Sequence, residues 1–215
     1  MKGLLIKDLR LILQRKMFLV LMLVCTVFLG MTDSGPSFII YYFTIIGAMF
    51  TSSTISYDEY DNCFPFLFTL PTTRKQYASE KFLFGFLATL CSDIFATLAA
   101  VIIALAKGTP VTKDIFIASL VIIPVSMIIN SVSLPVMLKL GLEKGRIGLY
   151  IVLVPVIVIA TAVMQNENLN GKFNEILSYA DAHEIMISVI LGAASIAIIA
   201  ISYIICTDIM KKKEL

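Results

Sequence analysis

FLFGFLATLCSDIFATLAAVIIALA, residues Phe82 to Ala106, contains one ionisable side chain, Asp93. The hydrocarbon core of a bilayer is about 30 Å thick and a helix rises about 1.5 Å per residue, so about 20 apolar residues make one crossing. This stretch is long enough to span. It reads as a transmembrane helix, and a chain that carries it needs a membrane.

Working outward, five more apolar stretches read as spans: Met17 to Thr32, Phe38 to Ser56, Ile115 to Leu138, Ile147 to Met164 and Ile185 to Cys206, each bounded by charges, Gly or Pro. The first is short enough to be weighed as a signal peptide with an apolar region from Met17 to Gly30. A long, patterned charged start and the lack of a small-x-small cleavage site favour a span. The composition agrees: 59% of the 215 residues are hydrophobic and the mean hydropathy is +0.93. We therefore expect an all-α polytopic membrane protein with six transmembrane helices over residues 17–206.

What is left is too small for a soluble domain, which takes about 100 residues. Any ATP-driven step belongs to a partner. The net charge of +2, with no clustered basic domain, argues against nucleic acid. Cys25, Cys91 and Cys206 fall in apolar stretches and Cys63 in a loop, so neither a disulfide framework nor a zinc spacing is present, and no metal or cofactor is expected on this chain. There is no G-x-x-x-x-G-K-[ST], G-x-S-x-G or H-E-x-x-H motif. No catalytic residue is expected, and the chain does not read as an enzyme.

Lys and Arg resist translocation and collect on the cytoplasmic side. With six spans, fourteen of the seventeen fall on one side, at both termini and in the loops after spans two and four, while only Lys107, Lys113 and Lys172 fall opposite. Both termini are therefore expected in the cytoplasm.

Residues 1–16 read as an amphipathic helix on the inner membrane surface, with Lys7, Arg10 and Gln14 forming a polar stripe and Leu5, Leu9, Ile12 and Leu13 mostly elsewhere, in preference to a plain extension of the first span into the cytosol. The loop 57–81 has an acidic start, an aromatic middle and a basic end. Phe64, Phe66, Leu67, Phe68 and Leu70 are costly to leave in water and need a cover. Thr73 and Gln76 form a T-x-x-Q capping box, the start of a helix continuing into span three. An external segment, 165–184, holds a short amphipathic helix ending near His183, which reads as a surface group. Residues 207–215 form a cytoplasmic tail.

Inside the spans, Asp93 needs a partner, because a lone carboxylate there costs several kcal/mol. No span offers a buried Lys or Arg. The candidates are Ser92, Thr97, Asn130, Ser131 and Thr161. Asp93 and Asn130 either line a substrate path or hold helices together by hydrogen bonds, the second being favoured. Pro124, Pro135 and Pro155 permit kinks in spans four and five. Gly192, Ala193, Ala194 and Ser195 suit close packing within the chain.

Two loop patterns carry a resemblance. Tyr57, Asp58, Glu59 and Asn62, then Leu70, Pro71, Arg74 and Lys81, form one; Lys139, Gly141, Glu143, Lys144, Gly145 and Arg146 after span four form the other. Together they resemble the small permease subunits of bacterial ABC-2 type exporters, and the likeness extends along the whole chain. It implies the type V exporter permease fold in a bacterial plasma membrane, with two permease chains, identical or paralogous, and separate ATPase subunits that hold ATP and Mg. The loop after span two would be a cytoplasmic coupling helix, with Tyr57, Asp58, Glu59, Asp61, Phe64, Phe66, Phe68 and Arg74 as contacts and the acids meeting basic groups on the ATPase rim. Pro65 departs from the pattern and would shorten that helix or start it. The resemblance implies an amphipathic peptide, bacteriocin, toxin or other hydrophobic cargo. A membrane scaffold that moves nothing and a proton-coupled secondary transporter using Asp93 are the competing readings.

Overall fold

The computed structural model describes residues 2–14, 16–31, 35–60, 69, 73–165 and 184–212, with side chains described except at 18, 19, 31, 35, 60, 142–165, 184 and 185. These residues form six helices: α1 (Lys2–Gln14), α2 (Lys16–Met31), α3 (Gly35–Tyr60), α4 (Arg74–Ala106), α5 (Lys113–Gln165) and α6 (Glu184–Lys212). Four stretches are long and apolar enough to cross a membrane: Pro36–Glu59, Arg74–Ala106, Lys113–Gly141 and Met186–Lys212. The chain is a multi-pass membrane protein. The first expected span corresponds to α2, whose apolar run Val20–Gly30 is shorter. The fifth falls on the second arm of α5, whose side chains lie outside the described residues, as do residues 166–183 of the external segment.

The central helix, α4, starts as its sequence dictates. The Thr73 hydroxyl accepts from the Gln76 amide at 3.2 Å, and the Gln76 side chain accepts from the Thr73 amide at 3.0 Å, which satisfies two of the donors a helix N-terminus leaves free. Its far end closes at Gly108, whose φ of 67° lets Thr109 N–H reach back to Ala104 O at 3.0 Å. Between these ends the buried stripe Tyr77, Lys81, Gly85, Thr89, Asp93, Ala96, Ala100 and Ala104 follows the helical repeat. Ile94, Leu98 and Ile102 on the opposite side are each about 60% exposed, which suits a helix that faces lipid.

That stripe packs on α3 and on the first arm of α5. Beyond Asp93 the contact is dry: Ala100 and Ala104 meet Ile40, Ile115, Ala118 and Ile122, and Ala96 meets Ile39 and Phe43. At the other end, near the 61–72 loop, Leu4 of α1, Ile55, Tyr77, Leu134, Cys206 and Met210 bring α1, α3, α4, α5 and α6 into one cluster. Close approach relies on small residues. A Cβ on Gly47 would stand 1.8 Å from the Ser92 hydroxyl, and one on Gly85 would stand 2.0 Å from the Asn130 amide nitrogen. The Gly192 patch, expected to pack closely within the chain, meets nothing within 4 Å at Gly192 among the described residues, and Ala193 and Ala194 are exposed. Close packing in α6 uses Ser195 and Ser202 instead, the latter donating to Ser131 O.

The non-helical point in α5 is Gly141, with φ 77° and ψ −177°, while the helix runs on through Pro124 and Pro135. That φ lies in the region only glycine adopts cheaply. The Glu59 carboxylate rests there: a Cβ on Gly141 would come within 2.6 Å of Oε1. The end of α3 and the break in α5 thus meet, which joins the two loop patterns singled out in the sequence.

Candidate functional site

At the roots of the 61–72 loop the chain gathers charge where solvent is absent. Asp8 of α1, Glu80 and Lys81 of α4 are fully buried, and Asp58 of α3 is 3% exposed. Lys81 pairs with Asp8, stands 3.1 Å from Asp58 Oδ2, donates to the Thr54 hydroxyl at 3.1 Å, and lies 5.1 Å from the centre of the Tyr77 ring. Lys7 pairs with Asp58 and stands 3.1 Å from Asp8 Oδ1. The Tyr77 hydroxyl donates to Asp58 Oδ2 at 2.9 Å. Three helices meet in one knot.

Local sequence explains each placement. Leu4 and Asp8 lie one turn apart on α1, so the leucine that enters the core carries the acid in with it. Tyr77 and Lys81 are likewise one turn apart on α4 and face Thr54 and Asp58, four residues apart on α3. Burial alone would lower the Lys7 ammonium, but Asp58 and Asp8 more than offset this and hold it above its usual 10.5. Glu80 is the odd member. Its nearest cation is Lys81 at 3.9 Å, and neither of its oxygens accepts a hydrogen bond among the described residues.

Desolvating the Lys81 ammonium and three carboxylates is expensive, and mutual attraction offsets it only with good geometry, while Lys7 closes the knot from its partly exposed edge. Such a knot is a poor source of net stability but fixes a unique arrangement of α1, α3 and α4. Removing Lys81 would leave the buried carboxylates short of a cation. Chemically it can hold, orient and transmit displacement. Among the described residues no group of three His, Cys, Asp or Glu is arranged to bind a metal ion.

The sequence-based expectations divide at this point. Asp58, expected on a partner's rim, is turned inward and its charge is met by Lys7, Lys81 and Tyr77, so it is not a surface contact. Arg74 is also engaged within the chain: its guanidinium donates to Met210 O at 3.2 Å and Lys211 O at 2.9 Å on α6. Glu59 lies on Gly141, and Tyr57 is half-buried. Asp61, Phe64, Phe66 and Phe68 lie outside the described residues.

Asp93 is 4% exposed and bound by hydroxyls, as expected, but not by the expected ones. Thr44 of α3 donates at 3.1 Å to one oxygen and Ser119 of α5 donates to the other. Thr44 and Ser119 were missed because they sit in other helices at a level that no one-dimensional count fixes. Asn130 packs on Gly85, two turns from Asp93, and the two do not form one site. Asn130 Oδ1 and Thr51 Oγ1 are buried there with no hydrogen-bond partner among the described residues.

Lys7, Asp8, Tyr77, Glu80 and Lys81 were not singled out as a cluster from sequence. One signal was present: Asp8 interrupts the apolar side of α1 between Leu4 and Ile12. A carboxylate there needs a buried cation, and Lys81, immediately before an apolar run, is the complementary oddity.

No curated protein and no solved structure matches the chain. Its sequence does match the family described as ABC-2 family transporter protein over residues 3–211. Several long apolar helices, gathered around a buried charge knot at the roots of one loop and matched to that family over nearly their whole length, make this chain a member of the ABC-2 transporter family, a membrane component of such a transporter.

Proposed function

We propose that this chain is the permease subunit of an ATP-driven exporter, and that the 57–81 loop is where a separate ATPase subunit docks. The carrying observation is the knot of Lys7, Asp8, Asp58 and Lys81 at the roots of that loop. A load applied to the loop enters α3 and α4 at once, and the ion pairs pass it to α1. A loop without a mechanical task needs no such footing. Phe64, Phe66 and Phe68 supply the apolar contact with the ATPase, and Glu59 and Asp61 set its register by charge. The membrane is a bacterial plasma membrane crossed six times, with both termini in the cytoplasm.

The path is formed with a second permease chain, and the cargo is an amphipathic peptide or another hydrophobic compound, which an apolar lining suits better than a sugar or an ion. Hydroxyls on both oxygens of Asp93 support an interhelical tie there rather than a proton-coupling role. Co-purification with the ATPase tests the proposal. Phe66→Ala removes a central apolar anchor, and we expect ATPase binding to weaken on the order of tenfold or more. Unchanged binding would reject the loop as the docking site.

A further inference from the structure

Glu80 is the member of the knot whose place the ion pairs do not explain. It is fully buried, its nearest cation is Lys81 at 3.9 Å, and both of its oxygens lack a hydrogen-bond donor among the described residues. Asp8 carries an oxygen in the same condition: Oδ1 stands 3.1 Å from Lys7 Nζ yet receives no hydrogen bond. These two acids are neighbours. Both meet the Lys81 ammonium, and the two side chains lie within hydrogen-bonding reach of each other.

The charges point the same way. Fully ionised, Asp8, Asp58 and Glu80 set three negative charges against the two positive ones of Lys7 and Lys81. Among the described residues no further cation joins them: Arg74 is turned to the carbonyls of Met210 and Lys211, and Lys211 lies exposed beside Asp208 at 3.2 Å. At this end α5 and α6 contribute Leu134, Leu138, Cys206 and Met210, none of them a cation. The nearby hydroxyls are engaged as well, Tyr77 donating to Asp58 and Thr54 to Thr51 O. A carboxylate out of water with neither a cation of its own nor a donor takes up a proton instead, and where two acids share one site a single proton between them removes the repulsion.

We infer that the knot is a binding site for one proton, carried by Glu80 and donated to Asp8 Oδ1. That proton brings the charges to two against two, gives Asp8 Oδ1 the donor it lacks, and makes Glu80 a donor rather than a stranded acceptor. Releasing it breaks the Glu80 O–H bond and passes the proton to water, which reaches Glu80 only when the helices around it part. The packing of α1 against α3 and α4 is thereby tied to proton uptake. The inference rests on the buried groups alone and is independent of ATPase docking. Asp93, further along α4, is a separate carboxyl with its own hydroxyl donors.

Infrared spectroscopy of the full chain in lipid reads the proton directly, because a carboxylic acid has a C=O stretch that a carboxylate lacks. At neutral pH we expect such a band, sensitive to deuterium exchange, that disappears in Glu80→Gln. It should disappear in Asp8→Asn too, since Glu80 can then ionise against Lys81. A carboxylic acid signal left unchanged by Glu80→Gln would overturn the inference. Stability gives a second readout. In the unfolded chain Glu80 ionises above about pH 4.3, whereas the folded chain keeps its proton, so the folded state binds one proton more and stability falls as pH rises. From about pH 5 upward, reversible unfolding in mixed micelles should show the folding equilibrium constant of the wild type losing up to about tenfold per pH unit relative to Glu80→Gln. Parallel pH profiles for the two chains would reject the site. Glu80→Gln matches the size and neutrality of the protonated acid, so its failure to fold would count against the inference as well.

Discussion

Lys81 and Asp93 lie three turns apart on the same buried stripe of α4, and their surroundings differ in kind. Around Lys81 the chain assembles opposite charges from three helices, so the ammonium is met by Asp8 and Asp58 together. Around Asp93 it assembles only neutral hydroxyls, one from α3 and one from α5. The first arrangement is strongly coupled, since Lys81, Asp8 and Asp58 depend on one another to remain charged without water. The second is graded, because each hydroxyl bond is weak on its own and replaceable. A helix carrying both has a stiff foot and a forgiving middle, which suits an element held firmly at one end and free to adjust along its length.

Breaking the stiff end should have the largest effect. Lys81→Met leaves Asp8 and Asp58 buried with the partly exposed Lys7 as the one cation they still share, and we expect a loss of about 3–5 kcal/mol, measured as a lower thermal midpoint in detergent. Adding Asp8→Asn should recover part of it, since the two residues are coupled. A midpoint unchanged by Lys81→Met would erase the contrast. Between the two sites, Gly47→Ala should cost about 1–3 kcal/mol by overpacking, because the new methyl meets the Ser92 hydroxyl at 1.8 Å and the Ala88 carbonyl at 3.2 Å. That cost should be independent of either charged site, so a strong coupling to Lys81→Met would show that the stripe responds as one unit. The smallest effect should come from Asp93→Asn, within about 1 kcal/mol, since an amide still pairs with two hydroxyls. Full loss of transport in a stable Asp93→Asn protein would assign Asp93 a role beyond packing.

Much of the fold is readable from the chain. Runs such as Phe82 to Ala106 leave a helix little alternative, and Thr73 with Gln76 fixes where α4 starts, because the capping geometry is local. The break at Gly141 was present in the sequence only as part of a loop pattern. Its meaning, a seat for Glu59, depends on α3 and α5 lying side by side. The site was less legible for the same reason. Asp58 was placed on a partner's rim by the family resemblance, whereas what holds it inward is Lys7, 51 positions away, with Tyr77 and Lys81. Asp93 announced its need for hydroxyls, but Ser92 turns to Thr89 O beside Gly47 and Asn130 lies at Gly85, while the use of Thr44 and Ser119 depends on how α3 and α5 stand against α4.

Arg74 grips two carbonyls of α6, on Met210 and Lys211, 136 and 137 positions further along the chain. A ribosome delivers residues in order, so α3 and α4 are made well before the stretch that Arg74 holds. The fastening at the start of α4 therefore forms late, once α6 has emerged, and a product cut short before Met210 would lack it however well its earlier helices had entered the bilayer.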